Sequence, residues 1–284
     1  MGKTLKSYAD YKLRENLLEY NFYFHQLKKL CLSMFNWSNL PDGIDSRFIE
    51  DTLFNYGFIV FYKHVGGFIT CSRATAIGFN AYDNPIGFRT ISNDSSESVY
   101  LKADECACIY SDLNRIPIIN AVTFFAKKLS AIENTIDSNL EHLKNPYIIA
   151  CPEGQKQTVQ SVYAKKESGV PLILTTEEFR NSVNNINLFD TKATNHLDSL
   201  LNAKEKMKNE FLTYLGINNI NVLKKERLTS KEGSENDEQI SINRNSMLVE
   251  REKISKVNKM FDCDIKVEFN TGITNLIESE GFNE

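Results

Sequence analysis

Two long stretches of the chain, residues 118–143 and 191–215, carry an apolar stripe at helical spacing and contain neither glycine nor proline. The first follows Pro117 and stops at Asn145-Pro146, and the second is followed by Gly216, which is the punctuation expected at helix ends. Each stretch predicts a helix of about 25 residues that runs close to 40 Å. The stripes consist of Ile119, Val122, Phe125, Leu129, Ile132, Ile136, Leu140 and Leu143, and of Leu197, Leu200, Leu201, Met207, Phe211 and Leu215.

A compact insert, residues 147–189, links the two predicted helices. Within it, residues 147–151 and 170–174 have the composition of short strands and are separated by a polar stretch. The second helix then begins with Asp190 or Thr191 as its N-cap. The sequence thus predicts two long rods joined at one end by a small α/β module.

The first third of the chain predicts two helices followed by a small β-rich domain. Residues 8–36 and 46–55 have helical periodicity, and residues 37–43 between them are typical of a turn. From Gly57 to about Tyr110 the composition is aromatic and β-branched, with glycine-rich and polar interruptions. The predicted strands are Phe58–Tyr62, Phe68–Cys71, Ser98–Leu101 and Cys106–Tyr110.

The last part of the chain combines a long polar stretch with a helix and a strand. Residues 224–245 show little apolar periodicity and predict a mobile loop. Residues 247–261 predict a helix, and residues 262–270 alternate apolar with charged side chains, as a half-buried strand does. With these elements the predicted fold class is α+β.

The composition is that of an ordinary globular protein. Of 284 residues, 42% are hydrophobic and 25% are charged. No apolar run reaches the length of about eighteen residues that spans a membrane, and the first residues lack a secretory signal. We therefore expect an intracellular protein with no membrane partner. The six cysteines are scattered, which predicts reduced, partly buried thiols, with no metal site and no bound cofactor.

Several kinds of enzyme and of nucleic-acid-binding protein are disfavoured. The net charge of −4 argues against a tight grip on nucleic acid, because proteins of that kind are usually basic over the contact domain. No phosphate-binding loop precedes Gly2-Lys3-Thr4, so we do not expect an NTPase. Asp264-Ile265-Lys266 could form half of a metal-dependent nuclease site, with the carboxylate on Mg²⁺ and the lysine on the attacking water. The alternative is that these charges form the wet face of an edge strand.

Cations gather on and after the second predicted helix: Lys192, Lys204, Lys206, Lys208, Lys224, Lys225 and Arg227. Glutamates interrupt these cations in the sequence. In a monomer the cations would therefore form solvated helix faces, or they would belong to a nucleic-acid-binding protein that forms no ring. In a ring, each cation would become a circle of charge. Such a circle attracts a moving polyanion without sequence preference.

Two blocks of the sequence resemble the upper collar, or head–tail connector, of small phi-29-like podophages, which is the portal protein of those viruses. The first block is Leu32–Ile44, with Phe35, Trp37 and Asn39-Leu40-Pro41, continuing into Tyr56-Gly57 and Phe61-Tyr62-Lys63. The second block is Phe211–Ile240, with Leu215-Gly216-Ile217, Lys224-Lys225-Glu226-Arg227 and Asn236-Asp237-Glu238-Gln239-Ile240. In the region between the two blocks, the order of long helix, small insert and long helix agrees with that of the family. The resemblance therefore covers nearly the whole chain.

The resemblance implies a portal-type fold and a ring, expected to be a dodecamer, at one vertex of the capsid. Residues 117–144 and 190–216 would be the stem helices that line the channel, and residues 145–189 the clip at its narrow outer end. The other parts would be the wing, residues 1–116 and 246–284, and the channel-loop region, residues 217–245. The ring would pass double-stranded DNA during packaging and ejection, without enzymatic activity of its own.

The resemblance also implies partners and DNA-facing residues. The partners are double-stranded DNA, a packaging ATPase, a lower collar or tail protein, the major capsid protein and a scaffold. The protein is therefore expected in the virion, after assembly in the host cytoplasm. The candidate channel-lining residues are Lys192, Lys224, Lys225, Arg227 and Lys231. The candidate channel loop, which would contact DNA and resist its back-slippage, includes Leu228, Gly233, Asn236, Asp237, Glu238 and Gln239.

The chain departs from the family pattern in two places. Other channel lysines of the family align with Asp190 and Ser199, with Lys192 nearby. In some relatives a strongly basic N-terminal arm contacts a packaging RNA, which would be a further partner. That arm is diluted here, because its cations are interleaved with Asp10 and Glu15, which argues against RNA binding. The cations are Lys3, Lys6, Lys12 and Arg14.

Overall fold

The computed structural model describes residues 2–91, 98–144, 147–150, 187–190, 196–219 and 230–273. The chain divides into two compact units, one formed by Met1–Ile132 with Ala203–Glu284 and the other by Glu133–Asn202. Helices and strands are both well represented in the described residues, which confirms the α+β class. None of the described helices is long and apolar enough to cross a membrane.

In chain order, the helices and strands are α1 (Gly2–Leu32), β1 (Phe35–Ser38), α2 (Ser46–Tyr56), β2 (Phe58–Lys63), β3 (Ile69–Phe79), β4 (Pro85–Ile91), β5 (Tyr100–Lys102), β6 (Cys106–Tyr110), α3 (Ile119–Lys144), β7 (Tyr147–Ala150), β8 (Asn187–Asp190), α4 (Leu197–Tyr214), α5 (Ser230–Glu252), α6 (Ile254–Phe261) and β9 (Lys266–Phe269).

An antiparallel five-stranded sheet in the order β5-β4-β3-β2-β6 lies in the first unit. Strands β2 and β6 confirm the strands predicted at residues 58–62 and 106–110, whereas β3 extends far beyond the predicted residues 68–71. No local pattern predicted β4, because Gly87 and Arg89 interrupt its apolar residues. Its pairing with β3 along most of its length supplies the stabilisation that its own composition lacks.

The inner strand β2 has an apolar cluster on each of its faces. Ile59 and Phe61 point into the larger cluster, which includes Leu27, Met34, Ile49, Leu53, Ile109, Val122, Leu129, Phe211 and Leu215. Val60 and Tyr62 point into a smaller one, with Ala74, Phe88, Leu101 and Cys106. Strand side chains alternate between faces, so a strand covered on both sides becomes a continuous apolar run. Each fully buried large apolar side chain contributes about 1.5–3 kcal/mol to folding.

The end of α1 differs from the prediction of a helix over residues 8–36. The helix ends at Leu32, and Phe35–Ser38 form β1, which pairs antiparallel with β9 so that Phe35 lies opposite Phe269. Pairing with a strand near the other end of the chain overrides the local helical periodicity. The helix predicted at residues 46–55 is confirmed by α2, with the Asp45 side chain accepting a hydrogen bond from the Arg47 amide.

Helix α3 confirms the prediction for residues 118–143. The second predicted helix is confirmed from Leu197 onward, but His196 is not helical, so α4 has 18 residues instead of about 25. The choice of Asp190 as N-cap is wrong, because this residue ends β8 and lies opposite Tyr147 of β7. Strand β7 confirms the strand predicted at residues 147–151. Thr191 and the predicted strand at residues 170–174 lie outside the described residues.

The helix predicted over residues 247–261 is divided in two at Lys253. The first part is the end of α5, and the second is α6. The alternation predicted for residues 262–270 is confirmed, because Ile265 and Val267 are buried while Lys266 and Glu268 are exposed. This alternation puts the apolar side of β9 against the core and its charged side in water.

Candidate functional site

The predicted channel residues fall into three groups. Lys192, Lys224, Lys225, Arg227 and Leu228 lie outside the described residues. Lys231 and Gly233 lie in the first turns of α5, where the structure describes the backbone. Asn236, Asp237, Glu238 and Gln239 also lie on α5, and the last three are exposed. The prediction of a loop is therefore wrong for residues 230–245, which are helical from Ser230 onward.

Helix α5 lacks apolar periodicity because polar side chains form many of its contacts with the rest of the protein. Between residues 236 and 245 the fully buried apolar residue is Ile240, and Ile242 is exposed. Asn236, Asn243 and Arg244 instead form hydrogen bonds to the end of α4 and the residues after it. A prediction based on apolar spacing does not register contacts of this kind.

The end of α4 has a Schellman cap. The amide of Ile217 donates to the carbonyl oxygen of Leu212 at 2.9 Å, and the amide of Gly216 donates to that of Thr213 at 3.0 Å. Gly216 has a φ of +70°, which a residue without Cβ adopts at little cost. The prediction that Gly216 follows the last turn of the helix is therefore confirmed.

Gly216 also touches the backbone of α5. A Cβ added to Gly216 would lie 2.5 Å from the amide nitrogen of Arg244 and 2.6 Å from its Cα. The Arg244 side chain closes over the same turn, with Nε donating to the Gly216 carbonyl oxygen at 2.9 Å. Its guanidinium lies 4.5 Å from the ring centroid of Phe269. The two backbones can approach this closely only because residue 216 has no side chain.

Amide side chains complete this contact, which we call the α4–α5 junction: Thr213, Gly216, Asn219, Asn236, Asn243 and Arg244. Asn219 Nδ2 donates to the Asn209 carbonyl oxygen at 2.6 Å and to Thr213 Oγ1 at 2.7 Å. Asn236 Nδ2 donates to Asn219 Oδ1 at 3.0 Å, and Asn243 Nδ2 donates to the Thr213 carbonyl oxygen at 2.8 Å. The junction therefore fixes Asn219 and the first described side chains of α5 to the end of α4.

Replacing Asn219 by alanine tests the junction. The change removes three hydrogen bonds from partly buried partners, so we expect a loss of about 1–3 kcal/mol in the free energy of unfolding. Chemical denaturation followed by circular dichroism measures it. Asn245→Ala, on the exposed side of α5, is the matched control and should change stability by less than about 0.5 kcal/mol. Equal effects of the two changes would show that the junction contributes nothing.

A buried ion pair anchors the other end of α5. Arg251 is fully buried, and its Nη2 and Nε donate to Glu50 Oε2 at 2.8 Å and Oε1 at 3.0 Å. Its Nη1 donates to the carbonyl oxygens of Ser111 at 2.7 Å and Met247 at 3.2 Å. The paired fork and the additional acceptors satisfy both charges, as burial of an ion pair requires.

Aromatic residues of β1 surround this ion pair. Trp37 Nε1 donates to Glu50 Oε1 at 2.9 Å, and the Arg251 guanidinium lies 3.9 Å from the centroid of the Phe35 ring. Phe35 and Trp37 belong to the first block of the family resemblance, whereas Glu50 and Arg251 were not predicted as important. Nothing in the local sequence indicates that a charge on α2 pairs with one on α5. The pair can be recognised only in the folded structure.

The residues proposed for a nuclease do not converge with other metal ligands. The side chains of Asp264 and Lys266 are 72% and 59% exposed, and Lys266 Nζ lies 3.3 Å from Asp264 Oδ2. Asp264 Oδ2 also accepts a hydrogen bond from Asn39 Nδ2 at 3.2 Å. Within the described ranges, no three His, Cys, Asp or Glu side chains are grouped so that they could hold a metal ion. The pair forms the wet side of an edge strand, and the nuclease alternative is not supported.

The cysteines of the described ranges are free, as predicted: Cys31, Cys71, Cys106, Cys108 and Cys263. Burial raises the pKa of Cys71 to about 12 and that of Cys106 to about 11. These two thiols therefore stay protonated near neutral pH, where a nucleophilic or metal-binding cysteine would need the thiolate.

Comparison with known proteins finds a family and solved structures that are similar to this chain. The family model for the phage connector, described as Phage Connector (GP10), matches residues 4–274. The structure of the portal and tail of native bacteriophage P68 is 17% identical with a TM-score of 0.51, and the match covers 100% of this chain and 98% of that chain.

Two further structures match with lower scores. An HK97 family phage portal protein from Corynebacterium diphtheriae is 8% identical with a TM-score of 0.42, over 90% of this chain and 94% of that one. The neck of an empty GTA particle is 9% identical with a TM-score of 0.42, over 91% and 82%. The resemblance seen in the sequence is confirmed by the family model, which spans both blocks and everything between them. The chain therefore belongs to the phage connector family and is a portal subunit.

Proposed function

We propose that this portal subunit forms a homo-oligomeric ring, expected to be a dodecamer, through which double-stranded DNA enters and leaves the capsid. The observation that carries the proposal is the connector family match over residues 4–274. The proposed partners are a packaging ATPase, a lower collar or tail protein, the major capsid protein and a scaffold. Assembly would take place in the host cytoplasm, before the ring becomes part of the virion. Electron microscopy of the purified protein tests the ring directly, because closed rings with a central hole are expected.

The proposed mechanism is passive. The buried Arg251 is paired with the buried Glu50, and Thr213, Asn219 and Asn236 of the junction are joined by hydrogen bonds between hydroxyl and amide groups. A separate ATPase would supply the work. Twelve copies of a chain with a net charge of −4 would carry about −48, so most of a channel wall would repel DNA. Repulsion favours sliding over gripping.

Local cations would offset this repulsion. We assign the attraction to Lys192, Lys224, Lys225, Arg227 and Lys231. Leu228 lies between the last two of these cations in the sequence, and Gly233 follows Lys231. The junction supports the assignment, because it holds Asn219 on one side of residues 220–229 and α5 on the other. Asn236 is bound in the junction, and the carboxylates of Asp237 and Glu238 would repel phosphate. Gln239 donates to Asn243 Oδ1 at 3.0 Å and supports the same helix.

Replacing Lys224 and Lys225 by alanine tests the DNA-facing role. We expect rings to form normally and DNA binding to weaken, because phosphate contacts release counterions. The slope of log K against log salt is negative, and each lost phosphate contact should reduce its magnitude by about 0.9. Filter binding at several salt concentrations measures the slope, and nuclease protection of packaged DNA measures its retention.

The matched control replaces Lys256 and Lys259, two exposed lysines of α6, by alanine. This control removes the same charge and should leave the slope unchanged. Failure of the Lys224→Ala, Lys225→Ala variant to form rings would make these lysines interface residues instead. An unchanged slope together with normal retention of DNA would show that Lys224 and Lys225 do not line the channel.

A further inference from the structure

A cavity of about 290 Å³ lies beside the smaller apolar cluster of the five-stranded sheet. Phe88 and Cys106 belong to both, and the wall continues along β6, the residues that lead into α3, and α6. Lys256 and Met260 of α6 line the cavity and are exposed, so it is open to solvent on that side. Its volume is close to the lower limit for small-ligand sites, about 300 Å³. We call it the β6–α6 cavity.

Much of the wall of the β6–α6 cavity is apolar or uncharged. Its two thiols, Cys106 and Cys108, are protonated near neutral pH, because burial raises the pKa of Cys106 to about 11 and that of Cys108 to about 12. A wall of this kind favours the apolar part of a ligand, because contact removes that part from water. The apolar side chains are those of Pro85, Phe88, Ala103, Ala107 and Met260.

The polar side chains of the cavity can all donate a hydrogen bond: Asn84, Tyr110, Arg115, Lys253 and Lys256. Among the described residues no carboxylate lines the cavity. The charge of Lys253 is balanced by the buried Glu250, which does not line the cavity. Arg115 and Lys256 form no ion pair with a described carboxylate. This wall therefore fits an anion, which accepts hydrogen bonds from the donors and balances the two remaining cations.

Arg115 is held in place by contacts within the chain. Its Nη1 donates to the Asp83 carbonyl oxygen at 3.1 Å, its Nη2 donates to Asn84 Oδ1 at 2.8 Å, and its guanidinium lies 4.5 Å from the centroid of the Tyr110 ring. These hydrogen bonds use two of the five N–H donors of arginine, so three remain. Its backbone φ is +58°, a strained conformation that is concentrated at functional sites. A guanidinium fixed in advance binds an anion with little loss of side-chain freedom.

We propose that the β6–α6 cavity binds a small organic carboxylate with an apolar body. Arg115 and Lys256 hold the carboxylate, whose planar shape matches the guanidinium, and the apolar body lies against Ala107 and Met260. Inorganic phosphate would satisfy the cations but leave the apolar wall in water, and a neutral apolar molecule would leave the cations without an anion. The inference goes beyond the proposed function and does not depend on the ring, because the cavity lies within one chain.

Isothermal titration calorimetry of the purified full-length protein tests the cavity, with octanoate as the probe. We expect saturable binding of a single octanoate per chain. The probe 1-octanol has a similar apolar body without the charge, and it should bind at least about tenfold more weakly because it lacks the charged hydrogen bonds. Inorganic phosphate has the charge without the apolar body, and it should show no saturable binding.

Two variants locate the bound octanoate. Lys256→Ala removes one of the two cations and should weaken octanoate binding by about tenfold. Met260→Glu places a carboxylate on the apolar wall and should abolish saturable binding, because like charges repel each other. The control Lys259→Ala removes an exposed lysine of the same helix that does not line the cavity, and it should bind octanoate like the wild type. All three residues are exposed, and circular dichroism shows whether each variant is folded.

The inference is overturned if the wild type shows no saturable octanoate binding. Equal affinity for octanoate and 1-octanol also overturns it, because the cations would then play no part, and so does phosphate binding as tight as that of octanoate. Unchanged octanoate affinity in the folded Lys256→Ala and Met260→Glu variants would show that octanoate binds elsewhere. The proposed function stands or falls separately, by electron microscopy of the rings.

Discussion

Replacing Arg251 by methionine is expected to lower the free energy of unfolding by about 3–5 kcal/mol, the largest effect of any single change we propose. The change leaves the Glu50 carboxylate buried without its cation, and it removes the donor to the Ser111 carbonyl oxygen. Desolvation of an unpaired charge costs more than the methionine gains by packing. The chain has one tryptophan, Trp37, and its indole donates to Glu50, so urea denaturation followed by tryptophan fluorescence reports on this site.

Two further variants interpret the result. Arg47→Met breaks the ion pair between Arg47 and Asp45, in which the side chain of Arg47 is 76% exposed and that of Asp45 is 58% exposed. This change should lower the free energy of unfolding by less than about 1 kcal/mol. Arg251→Met combined with Glu50→Leu removes both charges and should recover a large part of the loss, because no uncompensated charge remains. A midpoint for Arg251→Met equal to that of the wild type would mean that the pair does not hold α5 to α2.

Replacing Gly216 by alanine is expected to cost more than about 2 kcal/mol and to displace α5 from the end of α4. A φ of +70° strains any residue with a Cβ, and here the Cβ would also lie 2.5 Å from the Arg244 amide nitrogen. Because the neighbouring atoms belong to the backbone of a helix, no side-chain rotation relieves the contact. Thermal unfolding measures the stability, and electron microscopy shows whether rings still form.

Gly67→Ala separates the two contributions to this effect. Gly67 has a φ of +87°, and an added Cβ would have no atom within 4 Å, so this variant bears the backbone strain alone. We expect a cost of about 1–2 kcal/mol for it. The excess cost of Gly216→Ala measures the close approach of α4 and α5. Equal costs for the two variants would show that the junction adapts freely, and that α5 is not held at Gly216.

Much of the fold follows from local pattern. The apolar stripe and the proline before it predict α3, and Gly216 marks the end of α4 because a left-handed residue is needed there. Strands β2 and β6 follow from short aromatic and β-branched runs. These predictions succeed because the information for each element lies within a few turns or residues of it.

Other elements depend on contacts that no local pattern contains. Residues 35–38 form a strand because β9 lies beside them, although their own spacing continues the helix before them. Helix α5 forms over polar residues because Asn236, Asn243 and Arg244 have partners at the end of α4. The channel role of the candidate site residues stays a prediction, and Asn236 to Gln239, which were assigned to a loop, lie on α5.

The amino-acid sequence by itself determined the two long helices, the end of the second at Gly216, and membership of the connector family, because helical periodicity, caps and family motifs are local. The tertiary structure alone decided that α5 is a helix, that Arg251 pairs with Glu50, and that Asn219 joins the end of α4 to Asn236 of α5. These features depend on side chains far apart in sequence. Such contacts exist only after the chain has folded, since a buried charge or amide is stable only beside its partner.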